Sequence, residues 1–255
     1  NDISTTRIYN QLYLTVNSIG DVITVEDAFH SSNNYVIDRV TFTDGTSWDW
    51  TTLKALTLQG TGGDDIIQGF SSDDVINGGV GNDTLDGYNG NDILDGGADT
   101  DIINGGNGND ILRGGTGIDD SLKGGEGDDI YQFSVGDGNT TVNNLDTSTG
   151  IDTLQFMEGI VLSDVIAKND NGDLILTLVS SGEVITVLNA MQDDAYLLDQ
   201  VKFADGTLWD NDALNAMVLQ TTDNDDNVVG FMGDDIIDGG LGNDIINGAQ
   251  GNDTL

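Results

Sequence analysis

This 255-residue chain predicts an all-β fold: a right-handed parallel β-roll (β-solenoid) of nonapeptide repeats alternating with small antiparallel β modules. Three observations carry the prediction. From Asp65 to Asp129 an aspartate recurs nearly every ninth residue in a glycine-rich frame. Two positions after almost every one of them stands an aliphatic residue. The chain also repeats itself at the much longer interval of 161 to 162 residues.

Cut into nines, the central stretch reads GTGGDDIIQ (60–68), GFSSDDVIN (69–77), GGVGNDTLD (78–86), GYNGNDILD (87–95), GGADTDIIN (96–104) and GGNGNDILR (105–113). It closes with GGTGIDDSLK (114–123) and GGEGDDIYQ (124–132). The pattern is Gly-Gly-x-Gly-x-Asp-x-aliphatic-x. Glycines at its head permit a tight turn and close backbone approach. The tail reads as a short strand, in which alternate side chains share a face, so positions 6 and 8 both point inward. Position 8 is Ile67, Ile76, Leu85, Leu94, Ile103 and Leu112 in turn. Two nines make one flattened coil with a strand on each side, and the aspartates then stack in two columns. Asp65, Asp83, Asp101 and Asp119 are spaced by 18, as are Asp74, Asp92 and Asp110; Asp129 follows by 19. The extra residue lies in the 114–123 repeat. It would put Ser121 in the aliphatic slot, which Leu122 reaches only by a bulge. Asp226, Asp235, Asp244 and Asp253 resume the pattern near the end of the chain.

Inward carboxylates stacked at strand spacing require a cation. Calcium suits them: it takes 6–8 oxygens in irregular geometry and accepts carboxylates mixed with backbone carbonyls. Zinc, copper and iron are disfavoured, because cysteine is absent and His30 is the only histidine.

These repeats closely resemble the RTX (haemolysin-type calcium-binding nonapeptide repeat) proteins. The resemblance implies several calcium ions lying between stacked turns. It also implies ligands: the position-6 aspartates named above, and carbonyls near positions 1 and 3, here Gly78, Val80, Gly87, Asn89, Gly96, Ala98, Gly105 and Asn107. A Gly/Asp-rich disordered linker is the competing reading, and the favoured one without calcium. Disorder, however, needs no aliphatic residue at a fixed position. No segment has the acidic spacing of an EF-hand loop, and no Gly-x-Gly piece continues into a nucleotide-binding loop.

Composition narrows the function classes. Seven basic residues stand against 45 acidic ones, a net charge of −38, which excludes a nucleic-acid or anionic-membrane surface. No apolar run reaches the length of a membrane span. The start at Asn1 and the stop at Leu255, inside a repeat, are expected of a piece of a longer protein. Zero cysteine fits either a reducing compartment or a secreted chain stapled by metal. Cytosolic free calcium is too low for such sites, so a secreted, extracellular or cell-surface bacterial protein is expected. The chain also lacks proline, which removes slow isomerisation from folding.

The long duplication aligns DVITVEDAF (21–29) with EVITVLNAM (183–191), and YVIDRVTFTDGTSWDWTTL (35–53) with YLLDQVKFADGTLWDNDAL (196–214). The loop 192–195 is one residue shorter than its counterpart 30–34. Four segments follow: 1–59, the C-terminal part of an interstitial β module; 60–132, a calcium-binding roll; 133–220, a second and fuller module; and 221–255, the start of a second roll. Within the fuller module, Leu174–Val179 and Val184–Leu188 read as a hairpin. Asp205-Gly206 is a turn signal, and Asp210 or Asn211 can cap a short helix carrying Leu214 and Met217. The string Phe-x-Asp-Gly-Thr-x-Trp (42–48, 203–209) resembles the haemolysin-type calcium-binding-protein-related segment found between rolls. Its tryptophans are expected to be core residues sealing a roll end rather than a sugar-stacking platform. Tyr131 and Phe133 are expected to seal the far end of the first roll.

No catalytic constellation is present. One histidine cannot build a His-Glu-x-x-His zinc helix, and His30 sits in the polar loop HSSNN (30–34). The expected function is a calcium-binding repeat region that folds on calcium after export. It would act as the spacer scaffold of an adhesin or toxin and remain monomeric. A glycan- or receptor-binding role for the β modules is the alternative. An ice-binding face is disfavoured, because position 3 runs irregularly through Gly62, Ser71, Val80, Asn89, Ala98, Asn107, Thr116 and Glu126.

Overall fold

The computed structural model describes residues 3–29, 37–147, 150–191, 196, 198–231 and 233–255. The loops 30–34 and 192–195 fall outside the described residues. The chain is an all-β solenoid of parallel stacked coils. Each repeat lays one strand on one of two sheets, and successive repeats alternate between them. One sheet stacks Ile66–Gln68, Thr84–Asn89, Ile102–Asn107, Asp120–Glu126 and Thr140–Val142; the other stacks Val75–Val80, Ile93–Ala98, Ile111–Thr116, Ile130–Phe133 and Thr153–Phe156.

Register follows the 18-residue coil as far as Ile103 and Leu112, and the spacing lengthens beyond them. Ile67, Leu85, Ile103, Leu122 and Val142 pair in sequence on the first sheet; Ile76, Leu94, Leu112, Tyr131 and Leu154 do so on the second. All are buried and form one continuous core between the sheets. The position-7 residues point the other way: Ile66, Val75, Ile93 and Ile102 are exposed. That is the period-2 alternation expected of a strand with one buried face.

The stack does not stop at residue 132. Val184–Val187 pairs in parallel with Thr140–Val142, and Gln200–Lys202 pairs in parallel with Thr153–Phe156. The fuller β module is therefore two further levels of the same solenoid, with the antiparallel strands Val165–Asp170 and Asp173–Leu178 added at one edge and Leu208–Asp210 at the other. The hairpin joins Leu174 opposite Val187 to Thr177 opposite Val184. Tyr131 and Phe133 seal nothing: they lie mid-stack, with Phe133 facing Phe156 one level on. The aromatic series continues from Phe156 to Phe203 at 5.3 Å and on to Trp209, whose ring meets that of Phe203 edge to face at 4.8 Å.

The first module repeats the same pieces. Strands Ile3–Ile8, Gln11–Val16 and Asp21–Val25 form an antiparallel sheet, and Arg39–Thr41 pairs with Ser47–Asp49. Phe42 and Trp48 meet edge to face at 4.7 Å, and the Gly45 turn (φ +89°) matches that at Gly206 (φ +90°). Helices Trp50–Leu56 and Asn211–Val218 are capped alike: the Asp49 side chain accepts from Thr52 N and Asp210 from Ala213 N. Here the equivalents of Val184–Val187 and Gln200–Lys202 are not paired into the long sheets. Ile23 is consequently 59% exposed, whereas its counterpart Ile185 is 1% exposed. The 221–255 segment begins a second stack through the parallel pair Asn227–Val229 and Ile245–Asn247.

Candidate metal columns

Along the rolls the column aspartates sit where each repeat turns into its strand, and successive coils place one over another. The contact is a hydrogen bond. Asp65 N donates to Asp83 Oδ1 at 2.8 Å, Asp83 N to Asp101 Oδ1 at 2.8 Å, and Asp101 N to Asp120 Oδ1 at 2.9 Å. At the other edge Asp74 N donates to Asp92, Asp92 N to Asp110 and Asp110 N to Asp129. The bonds at Asp226–Asp244 and Asp235–Asp253 are the same, each 3.0 Å. In every aspartate after the first of a column, one carboxylate oxygen is thus spent on stacking.

The other oxygen divides the aspartates into two groups. At the leading coils it is satisfied locally: Asp65 Oδ2 accepts from Thr61, Asp74 Oδ2 from Phe70 N, Asp226 Oδ2 from Thr222 and Asp235 Oδ2 from Phe231 N. Inside the stack, Oδ2 of Asp83, Asp92, Asp101, Asp110, Asp120 and Asp129 is buried with no partner among the described residues. An ionised oxygen in that state is strongly disfavoured unless a cation meets it. Burial accordingly pushes Asp92, Asp101 and Asp129 up to about 7 and Asp120 up to about 6; Asp74, Asp83 and Asp110 are also raised, again chiefly by burial.

Space and donors for a cation are present beside these oxygens. A Cβ added at Gly87 would press on Asp92 Oδ2 and lie 2.5 Å from the Gly105 carbonyl oxygen. At Gly96 it would meet Asp101 Oδ2 and the Gly114 oxygen, at Gly105 Asp110 Oδ2 and the Gly124 oxygen, and at Gly78 Asp83 Oδ2 and the Gly96 oxygen. The position-1 glycines therefore leave a gap flanked by one carboxylate and one carbonyl of the next coil. All donors are hard oxygens from mixed sources, which fits calcium. Among the described residues no three acidic or histidine side chains converge on a point. Any ion here must draw heavily on backbone oxygens. Of the position-3 carbonyls, those of Ala98 and Asn107 accept from Gly81 N and Gly90 N, so each keeps one lone pair.

One expected site residue is misplaced. Asp119 does not enter the column: it takes φ +65° in the turn, and Asp120, fully buried, stands in its place. The inserted residue is absorbed in the turn rather than as a bulge. Ser121 faces out opposite Ile102, and Leu122 pairs cleanly with Ile103. A turn can lengthen without disturbing the ladder, whereas a slip within the strand would turn its apolar side chains to solvent. Asp120→Asn is therefore expected to raise the calcium midpoint at least about threefold, and Asp119→Asn to leave it within about 1.5-fold, on the scale of one lost charged ligand against a surface change. Equal shifts in a calcium titration of the two variants would return Asp119 to the column.

Sequence reading also missed the column's continuation. Asp129 N donates to Asp152 Oδ1 at 2.9 Å, and Asp152 N to Asp199 Oδ2 at 2.8 Å. Asp152 is buried and burial lifts it to about 6. A signal was present in Gly150-x-Asp152-x-Leu154, half a nonapeptide at a spacing of 23. At the opposite edge the series runs Asp120, Thr140, Ile185, so that column loses its charge. A second ladder also went unread: Asn91 N donates to Asp73 Oδ1 and Asn109 N to Asn91 Oδ1, both at 2.9 Å.

A parallel β-solenoid whose buried edges are columns of unpaired carboxylates beside glycine carbonyls is a calcium-repeat scaffold. The comparisons place it more closely. The RTX calcium-binding nonapeptide repeat matches residues 57–85, 86–119, 119–142 and 220–255, and the haemolysin-type calcium binding protein related domain matches 11–52 and 173–213. The nonapeptides of this chain are RTX calcium-binding repeats. The iron-regulated protein FrpA of Neisseria meningitidis serogroup C is 32% identical over 105 residues, which is 40% of this chain and 9% of that protein. The chain thus spans about a tenth of that relative's length. A solved structure of the AlgE6R3 subunit from the Azotobacter vinelandii mannuronan C5-epimerase is 25% identical, with a TM-score of 0.29, covering 58% of this chain and 78% of that one.

Proposed function

We propose that this region folds on calcium binding outside the cell and then serves as a stiff spacer in a large secreted adhesin or toxin. The observation that carries the reading is the set of six buried, unpartnered Oδ2 atoms in an acidic chain. In this reading Asp83, Asp92, Asp101, Asp110, Asp120 and Asp129 hold the ions, with carbonyls of the position-1 glycines completing the sites at Asp83, Asp92, Asp101 and Asp110. Asp65, Asp74, Asp226 and Asp235 have local donors for their carboxylates and join the columns through their backbone amides. Asp244 and Asp253 stand one coil into the second stack. The chain's role is mechanical and no reaction is assigned to it. Among the described residues no helix is long and apolar enough to cross a membrane. Trp209 is buried against Phe203 and offers no open face to a sugar ring.

Circular dichroism of the chain at pH 8, first in chelator and then in millimolar calcium, tests the reading. The expected result is a largely unfolded spectrum converting to β, with magnesium far less effective because it demands tighter octahedral geometry. A β spectrum that survives chelation would sink it. The pH dependence has a definite sign. In the metal-free folded chain Asp92, Asp101 and Asp129 titrate near 7, against about 3.8 when unfolded. Between those values the folded state holds more protons, so metal-free stability rises as pH falls from 8 towards 4. Protons and calcium compete for the same oxygens, so the calcium midpoint rises over the same interval.

A further inference from the structure

The two copies of the β module meet the rolls that follow them through one shared contact. In the first copy Arg7, on strand Ile3–Ile8, donates through Nη1 to the Gly69 carbonyl and, at 3.0 Å, to the Gln68 carbonyl. In the second copy the duplication places Asn169 at this position and Gly230 opposite it. Asn169 Nδ2 donates to the Gly230 carbonyl at 3.1 Å. Gly69 and Gly230 occupy position 1 of their repeats. Further along the column such a carbonyl faces the carboxylate of the coil before it, as Gly105 faces Asp92. For Gly69 and Gly230 that place in the preceding chain is held by Leu56 and Met217, within or at the end of the module helices, so no carboxylate exists to form the site.

The copies differ in charge. Arg7 lies over the Phe70 ring at 4.3 Å, and the Lys54 ammonium lies over the same ring at 4.0 Å. Both cations act electrostatically on the Asp74 carboxylate at the head of the column. They line a cavity of about 500 Å³ together with Phe29, Trp50, Phe70 and Tyr88. Two of the chain's seven basic residues are thus spent at this one spot. In the second copy Phe231 replaces Phe70 and Asp235 replaces Asp74, but Asn169 and Asn215 stand where the two cations were.

We infer that strand Ile3–Ile8 and its counterpart Val165–Asp170 each carry a head cap for the roll that follows, in which Arg7 or Asn169 takes the column-end glycine carbonyl, and that in the first copy the cap is itself a cation standing in for an ion. The consequence, which rests on the calcium reading above, is an order of folding. The head of the first roll starts with its charge partly balanced by the chain, whereas the head of the second depends on calcium from solution.

Hydrogen exchange of the full chain at stepped free calcium tests this, read on the segments 66–80 and 227–247. In the parent both segments become protected as calcium rises. In Arg7→Asn/Lys54→Asn the midpoint for 66–80 is expected to rise roughly fivefold, the lower end of a typical coupling, with 227–247 unchanged. In Asn169→Arg/Asn215→Lys the midpoint for 227–247 is expected to fall, with 66–80 unchanged. Midpoints that stay put in both variants, with calcium dependence intact, overturn the cap while leaving the calcium reading standing. Segments protected equally with and without calcium in the parent overturn both. Should the first variant fail to fold at saturating calcium, the reciprocal variant decides alone: a fall supports the cap and no change overturns it.

Discussion

Asp92→Ala is expected to raise the calcium midpoint several-fold and to destabilise the calcium-loaded chain by about 2–3 kcal/mol, the range for removing one partner of a buried charged contact. Asp92 stands mid-column. Its Oδ1 holds Asp74 N at 2.8 Å, its own amide reaches Asp110 Oδ1 at 2.7 Å, and its Oδ2 faces the glycine gap. Alanine removes an ion ligand and leaves the Asp74 amide without its acceptor. Asp253→Ala is expected to stay within about 0.5 kcal/mol. Asp253 also accepts an amide, from Asp235 at 3.0 Å, but it is only partly buried, so water can replace the carboxylate. Thermal melts and calcium titrations of the two variants side by side make the comparison. Equal shifts would mean that the columns are not where calcium binds.

Gly87→Ala should rank with it. The added methyl would press on Asp92 Oδ2 and lie 2.5 Å from the Gly105 oxygen, inside the gap assigned to an ion. Neither neighbour can withdraw: one is the backbone of the next coil, the other is fixed by the stacking bond. Gly87 does not have positive φ, so backbone strain plays no part. The expected loss is about 2–3 kcal/mol of calcium-loaded stability, of the order of overpacking a tight core, together with one fewer bound ion. Gly136→Ala isolates the other use of glycine. Gly136 has φ +96° and nothing within 4 Å of the added Cβ, so only conformational strain remains, about 1–2 kcal/mol, and the ion count stays the same. Stability by denaturant titration and calcium stoichiometry by isothermal calorimetry separate the two. If Gly87→Ala binds as many ions as the parent, the gap is not the site.

The nonapeptide period by itself determined the coil, the two inner faces, the buried Ile67-to-Leu112 ladder and the aspartate columns. The reason is local: a turn of glycines and a strand of period 2 leave only one inward set, and equal repeats stack in register. The Phe-x-Asp-Gly-Thr-x-Trp turn and its aspartate-capped helix were readable for the same reason, twice over. Tertiary structure decided what happens where the period breaks. Whether the extra residue near Asp119 fell in the turn or in the strand depended on keeping Leu122 beside Ile103, a contact between residues 19 apart. That choice moved the column from Asp119 to Asp120. The extension of the stack through Thr140–Val142, Thr153–Phe156, Val184–Val187 and Gln200–Lys202 rests on parallel pairing across unequal loops, where spacing gives no fixed register. Only the packed coils show which carboxylate oxygens lack a partner. Motif position treats Asp65 and Asp83 as equals, but Thr61 answers the second oxygen of one and nothing among the described residues answers that of the other.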